Sequence, residues 1–180
     1  MTRPATPVLL LVVAILAPVM GCSQRAAPPR KDLVDRSLMA CLGAIRAYHR
    51  QADVHLERSD PAAAIAAVER ALALPCRDRP SPEIQETMLD VYGRLGRLHL
   101  TRGEHDRALG RVREGLARPG APSFFRANLH LVEGDALDAQ AERRQAAGDK
   151  PGADALRREA LQAFERSATM NQALLKELLP

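Results

Sequence analysis

The sequence predicts an all-α fold, and three observations predict it. Apolar residues recur at alternating steps of three and four along the chain from about residue 34, the period of one helix face. Prolines beyond residue 31 fall between these stripes or at the chain end, where a helix starts or stops. One stretch of chain also nearly repeats another: residues 48–75 laid over 92–119 match at 10 of 28 positions without a gap. No stretch alternates with the period of two that marks a strand.

The elements follow in order. Val34, Leu38, Cys41, Ile45, Tyr48, Ala52 and His55 form a narrow stripe, so the first helix occupies the thirties to the fifties. Asp60-Pro61 reads as an N-cap followed by proline in the first helical position. The stripe behind it is Ile65, Val68, Leu72 and Cys76, punctuated by Pro75 and Pro80. Ser81-Pro82 starts a third helix carrying Ile84, Met88, Tyr92, Leu95 and His99. Leu109, Val112 and Leu116 mark a fourth, closed by Pro119-Gly120. Phe125, Leu129, Val132 and Ala136 mark a fifth, and Asp149-Lys150-Pro151 begins a sixth with Leu161 and Phe164 on its apolar side. A separate short helix over 172–179 is expected to cap the last exposed face.

The N-terminal segment predicts location. Arg3 precedes an apolar run, Val8 to Ala17, which is shorter than the roughly 20 residues needed to span a bilayer and reads as a cleaved signal. Its end, Val19-Met20-Gly21-Cys22, resembles a bacterial lipobox. That resemblance implies a signal peptide over 1–21, lipidation of Cys22, and a lipidated tether over 22–31. Nine residues, 23–31, reach at most about 30 Å, so the folded part over 32–180 is held near its membrane. Ser23 after the lipidated cysteine favours an outer-membrane lipoprotein facing the periplasm.

Composition narrows the function. The net charge is +4 with 26 basic residues, but only Lys31, Lys150 and Lys176 are lysines, and aromatic residues make up 3%. Acidic residues are interleaved with the arginines and stacking platforms are scarce, so a nucleic-acid partner is not expected. Of three cysteines, a lipidated Cys22 leaves Cys41 and Cys76, an even pair in an oxidising compartment. A hairpin folded near Ser59-Asp60 sets Cys41 opposite residues 77 and 78, within about one turn of Cys76. A disulfide closing a loop of 36 residues is the expectation; two reduced, buried thiols are the alternative.

The repeat carries a resemblance. Tyr48 falls on Tyr92, His55 on His99, Ala64 on Ala108, Val68 on Val112, Leu72 on Leu116 and Pro75 on Pro119. A looser third copy places Ala160, Leu161, Phe164 and Ser167 at the spacing of Ala108, Leu109, Val112 and Gly115. With Tyr92-x2-Leu95-Gly96-x2-His99, Gly103 and Ala108, this resembles the tetratricopeptide repeat family. The resemblance implies an antiparallel helix-hairpin solenoid of three repeats, over about 32–76, 81–119 and 122–171. Gly96 and Ala52 on the first helices, and Ala64 and Ala108 on the second, allow close helix approach. The offset between the first two copies is 44 residues, against about 34 in the family. Gly134 precedes Ala160 by 26 residues where Gly96 precedes Ala108 by 12. The excess of 14 is two extra turns on each helix of the third hairpin.

The resemblance also implies a binding surface on the first helix of each repeat. It would comprise Arg46, His49 and Asp53, then Asp90 and Arg97, then Asn128, Asp135 and Asp138. No nucleophile elbow, phosphate loop or His-Glu-x-x-His is present, and no enzyme, metal or cofactor is expected. His55 and His99 sit at equivalent places on apolar stripes, where packing explains them. The expected role is an envelope adaptor that binds protein partners. Anchor and fold together are similar to the pilotin lipoproteins that help pilus secretin rings assemble. A scaffold for gliding, secretion or cell-wall synthesis, or a regulator of a periplasmic enzyme, are the rival readings.

Overall fold

The computed structural model describes residues 35–179 and is all-helical over them. The signal peptide, Cys22 and the tether lie outside the described residues. Six helices follow one another: α1 Arg36–Glu57, α2 Pro61–Leu72, α3 Pro82–Thr101, α4 His105–Leu116, α5 Phe124–Ala146 and α6 Lys150–Leu178. Among the described residues no helix is long and apolar enough to cross a membrane.

Local chemistry sets the boundaries. Asp35, Asp60, Ser81, Ser123 and Asp149 each accept a backbone N–H of the helix they precede. This satisfies one of the donors left free at a helix start. The three hairpin turns share one geometry. Each closes with a backbone bond from the residue before the second helix to a carbonyl in the last turn of the first. These bonds are Asp60 to His55 at 2.9 Å, Glu104 to His99 at 3.0 Å and Asp149 to Arg144 at 2.9 Å. Each also needs one left-handed residue, supplied by Ser59, Gly103 and Gly148 at φ of 57°, 69° and 85°. Ser59 carries a Cβ in that region, where only glycine is free of steric cost.

Three antiparallel hairpins result, α1–α2, α3–α4 and α5–α6, and each packs on the next. Their cores are built at equivalent positions. A Cβ on Gly96 would stand 2.7 Å from Cγ2 of Val112, and one on Gly134 would stand 2.3 Å from the Phe164 ring. In the first hairpin Ala52 and Val68 hold the same places, both fully buried in one apolar cluster. A step lower, Gly115 lies so close to Tyr92 that a Cβ would meet it at 2.8 Å. The tight positions face the partner helix, and their residue size sets how near the axes lie.

The third hairpin is longer, as its spacing predicts. Five residues follow Gly96 to the end of α3, and twelve follow Gly134 to the end of α5. Three residues precede Ala108 in α4, and ten precede Ala160 in α6. Each helix gains seven residues, about 10 Å of rise, and the turn at 147–149 stands beyond the neighbouring one.

The structure differs from the sequence expectation in three places. First, α2 ends at Leu72 and Cys76 lies in the following turn. Pro75 has no N–H to give and its ring excludes the helical conformation of the preceding residue. Second, no separate helix spans 172–179, because α6 runs unbroken from Lys150 to Leu178. Nothing between Ser167 and Leu178 is glycine or proline, so nothing interrupts the ladder. Third, Leu161, expected on an apolar core stripe, is 66% exposed. Among the described residues no helix packs over it.

Cys41 and Cys76 stand at disulfide distance, with Cα atoms 6.2 Å apart, inside the range a disulfide requires. The register of the first hairpin predicts this pairing. It ties the N-terminal part of α1 to the turn after α2, beside Arg79, whose guanidinium bonds Asp35 and Ser37.

Two outcomes test this packing. Gly96→Leu is expected to cost about 1–3 kcal/mol by overpacking, while Ser59→Gly is expected to gain about 0.5–1 kcal/mol by relieving the left-handed turn. Urea unfolding of both variants checks the pair, and a Ser59→Gly chain less stable than the parent would refute the turn assignment. For the cysteines, mature protein alkylated under denaturing conditions without reductant is expected to carry no label on Cys41 or Cys76. Replacing both by alanine should cost about 3–4 kcal/mol by the loop-entropy relation; two labelled thiols would exclude the bond.

Candidate functional site

The eight residues of the expected binding surface lie on the first helices of the three hairpins, and contacts between these helices join several of them into a polar strip. Nδ1 of His49 on α1 is 3.7 Å from an Asp90 carboxylate oxygen on α3. Asp53, one turn on, accepts a hydrogen bond from Arg94 of α3. Farther along α3, Gly93 leaves room for the amide of Asn128 from α5 and the guanidinium of Arg97, both within 4 Å of where its Cβ would stand. Asp135 feels the charges of Asp138 and Arg97, which act on its carboxyl in opposite directions. The strip therefore runs from Arg46 across α3 to Asp138.

Its α1–α3 end is a groove of about 460 Å³. Leu42, Ile45 and Phe125 supply its apolar surface, Arg46 and His49 one wall, and Glu83, Glu86, Thr87 and Asp90 the other. Among the described residues no arginine or lysine comes within salt-bridge distance of Glu83, Glu86 or Asp90. The outer side between α2 and α4 is different. There a depression of about 530 Å³ has its carboxylates bound to arginines, Glu69 and Glu114 to Arg111, and Glu104 to Arg102 and Arg107.

Burial shapes two titrations on the strip. His49 is held below the ordinary imidazole value, first by desolvation and then by Arg94 and Arg97, against the opposing pull of Asp90 and Asp53. Its Nε2 is buried without a partner, which disfavours a second proton there. Asp135 is pushed up, first by burial and then by Asp138, with Arg97 opposing.

The two repeat-equivalent histidines part company. His99 is buried at 4% exposure and its Nδ1 lies 2.7 Å from Glu104. His55 is only half-buried. Asp60, the equivalent of Glu104, is one methylene shorter and caps Ala63 instead. Among the described residues no group of three or more His, Cys, Asp or Glu is placed to hold a metal ion.

Arg94, Glu83 and Glu86 belong to this surface and sequence reasoning missed them. Their signal was present, since 83, 86, 90, 94 and 97 share one face of α3 at steps of three and four. No known protein-family profile matches the chain, and no curated protein and no solved structure matches it either.

The lowered His49 value has a signed consequence. Folding favours the neutral ring, so below the free value of 6.5 the unfolded chain binds more protons and the native state loses stability. Melting temperature is expected to fall between about pH 7 and about pH 5, and His49→Gln should remove part of that fall. Thermal melts at both pH values check it; equal slopes in parent and variant would refute it.

Proposed function

We propose that this chain is a lipid-anchored adaptor of the bacterial envelope. It is built as a stack of tetratricopeptide-type hairpins, binds a protein segment along α1, α3 and α5, and supports assembly of an envelope complex. A pilotin-like factor for a pilus or secretion machine, on the periplasmic side of the outer membrane, is the form we favour. One observation carries the reading: the polar strip is continuous across all three first helices. Each hairpin contributes two or three of its residues, so a bound segment would touch every repeat.

Further features support it. The close contacts at Ala52, Gly96 and Gly134 and the three equivalent turns fit a repeated hairpin unit. The groove joins an apolar floor to charged walls, the mixture that gives a polypeptide both affinity and register. The unpaired carboxylates on α3 suit a segment that carries basic residues. No chemistry is required of the protein in this role; it positions a partner near the membrane through Cys22.

The test is co-purification from detergent-solubilised membranes of the native host. The parent protein is expected to enrich one or more envelope proteins over a bead control. The combined variant Arg97→Ala, Asn128→Ala should lose that enrichment while melting within a few degrees of the parent, because Arg97 is exposed and Asn128 half-buried. The Cys22→Ser precursor should leave the membrane fraction. An enriched partner that the Arg97, Asn128 variant retains in full would move the binding surface elsewhere. No enriched envelope protein at all would remove the adaptor reading.

A further inference from the structure

The third hairpin presents a stacking surface on which, among the described residues, nothing stacks. Ile65, Leu109 and Leu161 occupy the same place in the second helix of each hairpin, and their exposures are 8%, 8% and 66%. The first two are covered by the hairpin that follows; the third is bare. On α5 the equivalent comparison tells the same story. Leu131 takes the place of Gly93, which is buried against α5, yet Leu131 is 45% exposed. Beyond Leu161 an apolar trough of about 340 Å³ opens, with Pro122, His130, Met170 and Ala173 in its walls. A polar residue at either leucine would serve a solvated terminal face, as capping repeats do.

Charges around Leu161 identify the occupant. Arg158 and Glu165 lie on the same side of α6, three residues before it and four after it, and both are exposed. Among the described residues Arg158 meets no carboxylate, and Glu165 accepts only from Thr169 Oγ1, at 3.4 Å. Their neighbour Arg157, by contrast, is engaged with Asp154 and Gln145. If a second α6 lies antiparallel across a two-fold axis passing between Leu161 and Gln162, residue 158 of each copy faces residue 165 of the other. The two leucines then meet at the axis with an ion pair on either side. Such a patch is complementary to itself, which a two-fold interface requires.

We propose that the protein forms a two-fold dimer through the outer face of its third hairpin. Leu161 sits at the axis, and Arg158 of each copy pairs with Glu165 of the other. The proposal is independent of what the α1–α3–α5 strip binds, because Arg158, Leu161 and Glu165 lie on α6 and none of them belongs to that strip. Two lipid anchors per assembly follow from it, one from each copy, so the dimer would hold its membrane more firmly than either chain alone.

Sedimentation mass of the full-length lipoprotein in a non-ionic detergent is the measurement. The parent is expected as a dimer. Leu161→Glu should yield a folded monomer whose melting temperature no longer depends on protein concentration, since the side chain is exposed in the single chain. Arg158→Glu alone and Glu165→Arg alone should each weaken association about tenfold by placing like charges opposite each other. Combining both substitutions in one chain should restore the dimer, because the pair is then merely reversed. A parent that is monomeric at every concentration overturns the proposal, as does a dimer indifferent to Leu161→Glu. Single variants that dissociate without rescue in the double variant overturn the proposed register.

Discussion

The fold depends on how closely the two helices of each hairpin approach at one crossing point. On the first helix that point is Ala52, Gly96 or Gly134; on the second it is Val68, Val112 or Phe164. A bare or nearly bare backbone on one side lets a branched or aromatic side chain on the other fill the space, to the density expected of a protein interior. Size is balanced across the pair. Where the second helix carries phenylalanine, the first must carry glycine, and a Cβ at Gly134 would fall within 2.3 Å of the ring. The separation fixed here decides how far each hairpin spreads, and so which residues of α3 can reach α1 and α5. Asp90 meets His49 and Arg94 meets Asp53 because the stack is this tight.

The longer third hairpin obeys the same constraint. Adding seven residues to each arm lengthens the hairpin by two turns and returns every side chain to nearly the same face. Gly134 therefore still meets Phe164, and Glu133 is still in place to bind Arg113 of α4 and Arg166 of α6. An insertion of five on one arm would have rotated the apolar stripe off its partner. The extension leaves the stacking level intact and adds a ledge where Gln140 bonds Asp106 at the start of α4.

Much of this was legible because it is local. Caps, prolines and stripes lie within a few residues of one another, and the copy of 48–75 in 92–119 sets the hairpin register. The cysteine pair followed from that register alone. What escaped depended on absent or distant neighbours. Leu161 has the sequence environment of Leu109, and it is bare because among the described residues no hairpin packs on α6 as the third packs on α4. The continuity of α6 past residue 171 rests on the absence of a breaker, a weaker signal than a cap. Cys76 was assigned to a helical stripe although Pro75 immediately before it stops the helix. On the strip, Arg94 was passed over because its partner, Asp53, stands 41 residues away in the sequence.

The same geometry sorts charge within an arginine-rich chain. Between α2 and α4, and around Glu133, arginines reach carboxylates from adjacent helices, so those charges are largely neutralised in place. Along the first helices, among the described residues, the carboxylates of Glu83, Glu86, Asp90, Asp135 and Asp138 have no such guanidinium at bonding distance. Three of them follow one wall of the α1–α3 groove, over about two turns or 10 Å. Their field is opposed little by His49, because burial holds its imidazole below the ordinary value and favours the neutral ring. A chain with a net charge of +4 thus presents an acidic wall on the surface we propose for its partner. Exposed pairs contribute little stability to a fold, so leaving these unpaired costs the protein little. The same carboxylates facing a basic segment would steer its approach and fix its orientation. On this reading the arrangement serves recognition: folding is secured by the glycine and alanine crossings, and the groove charges remain free for a partner.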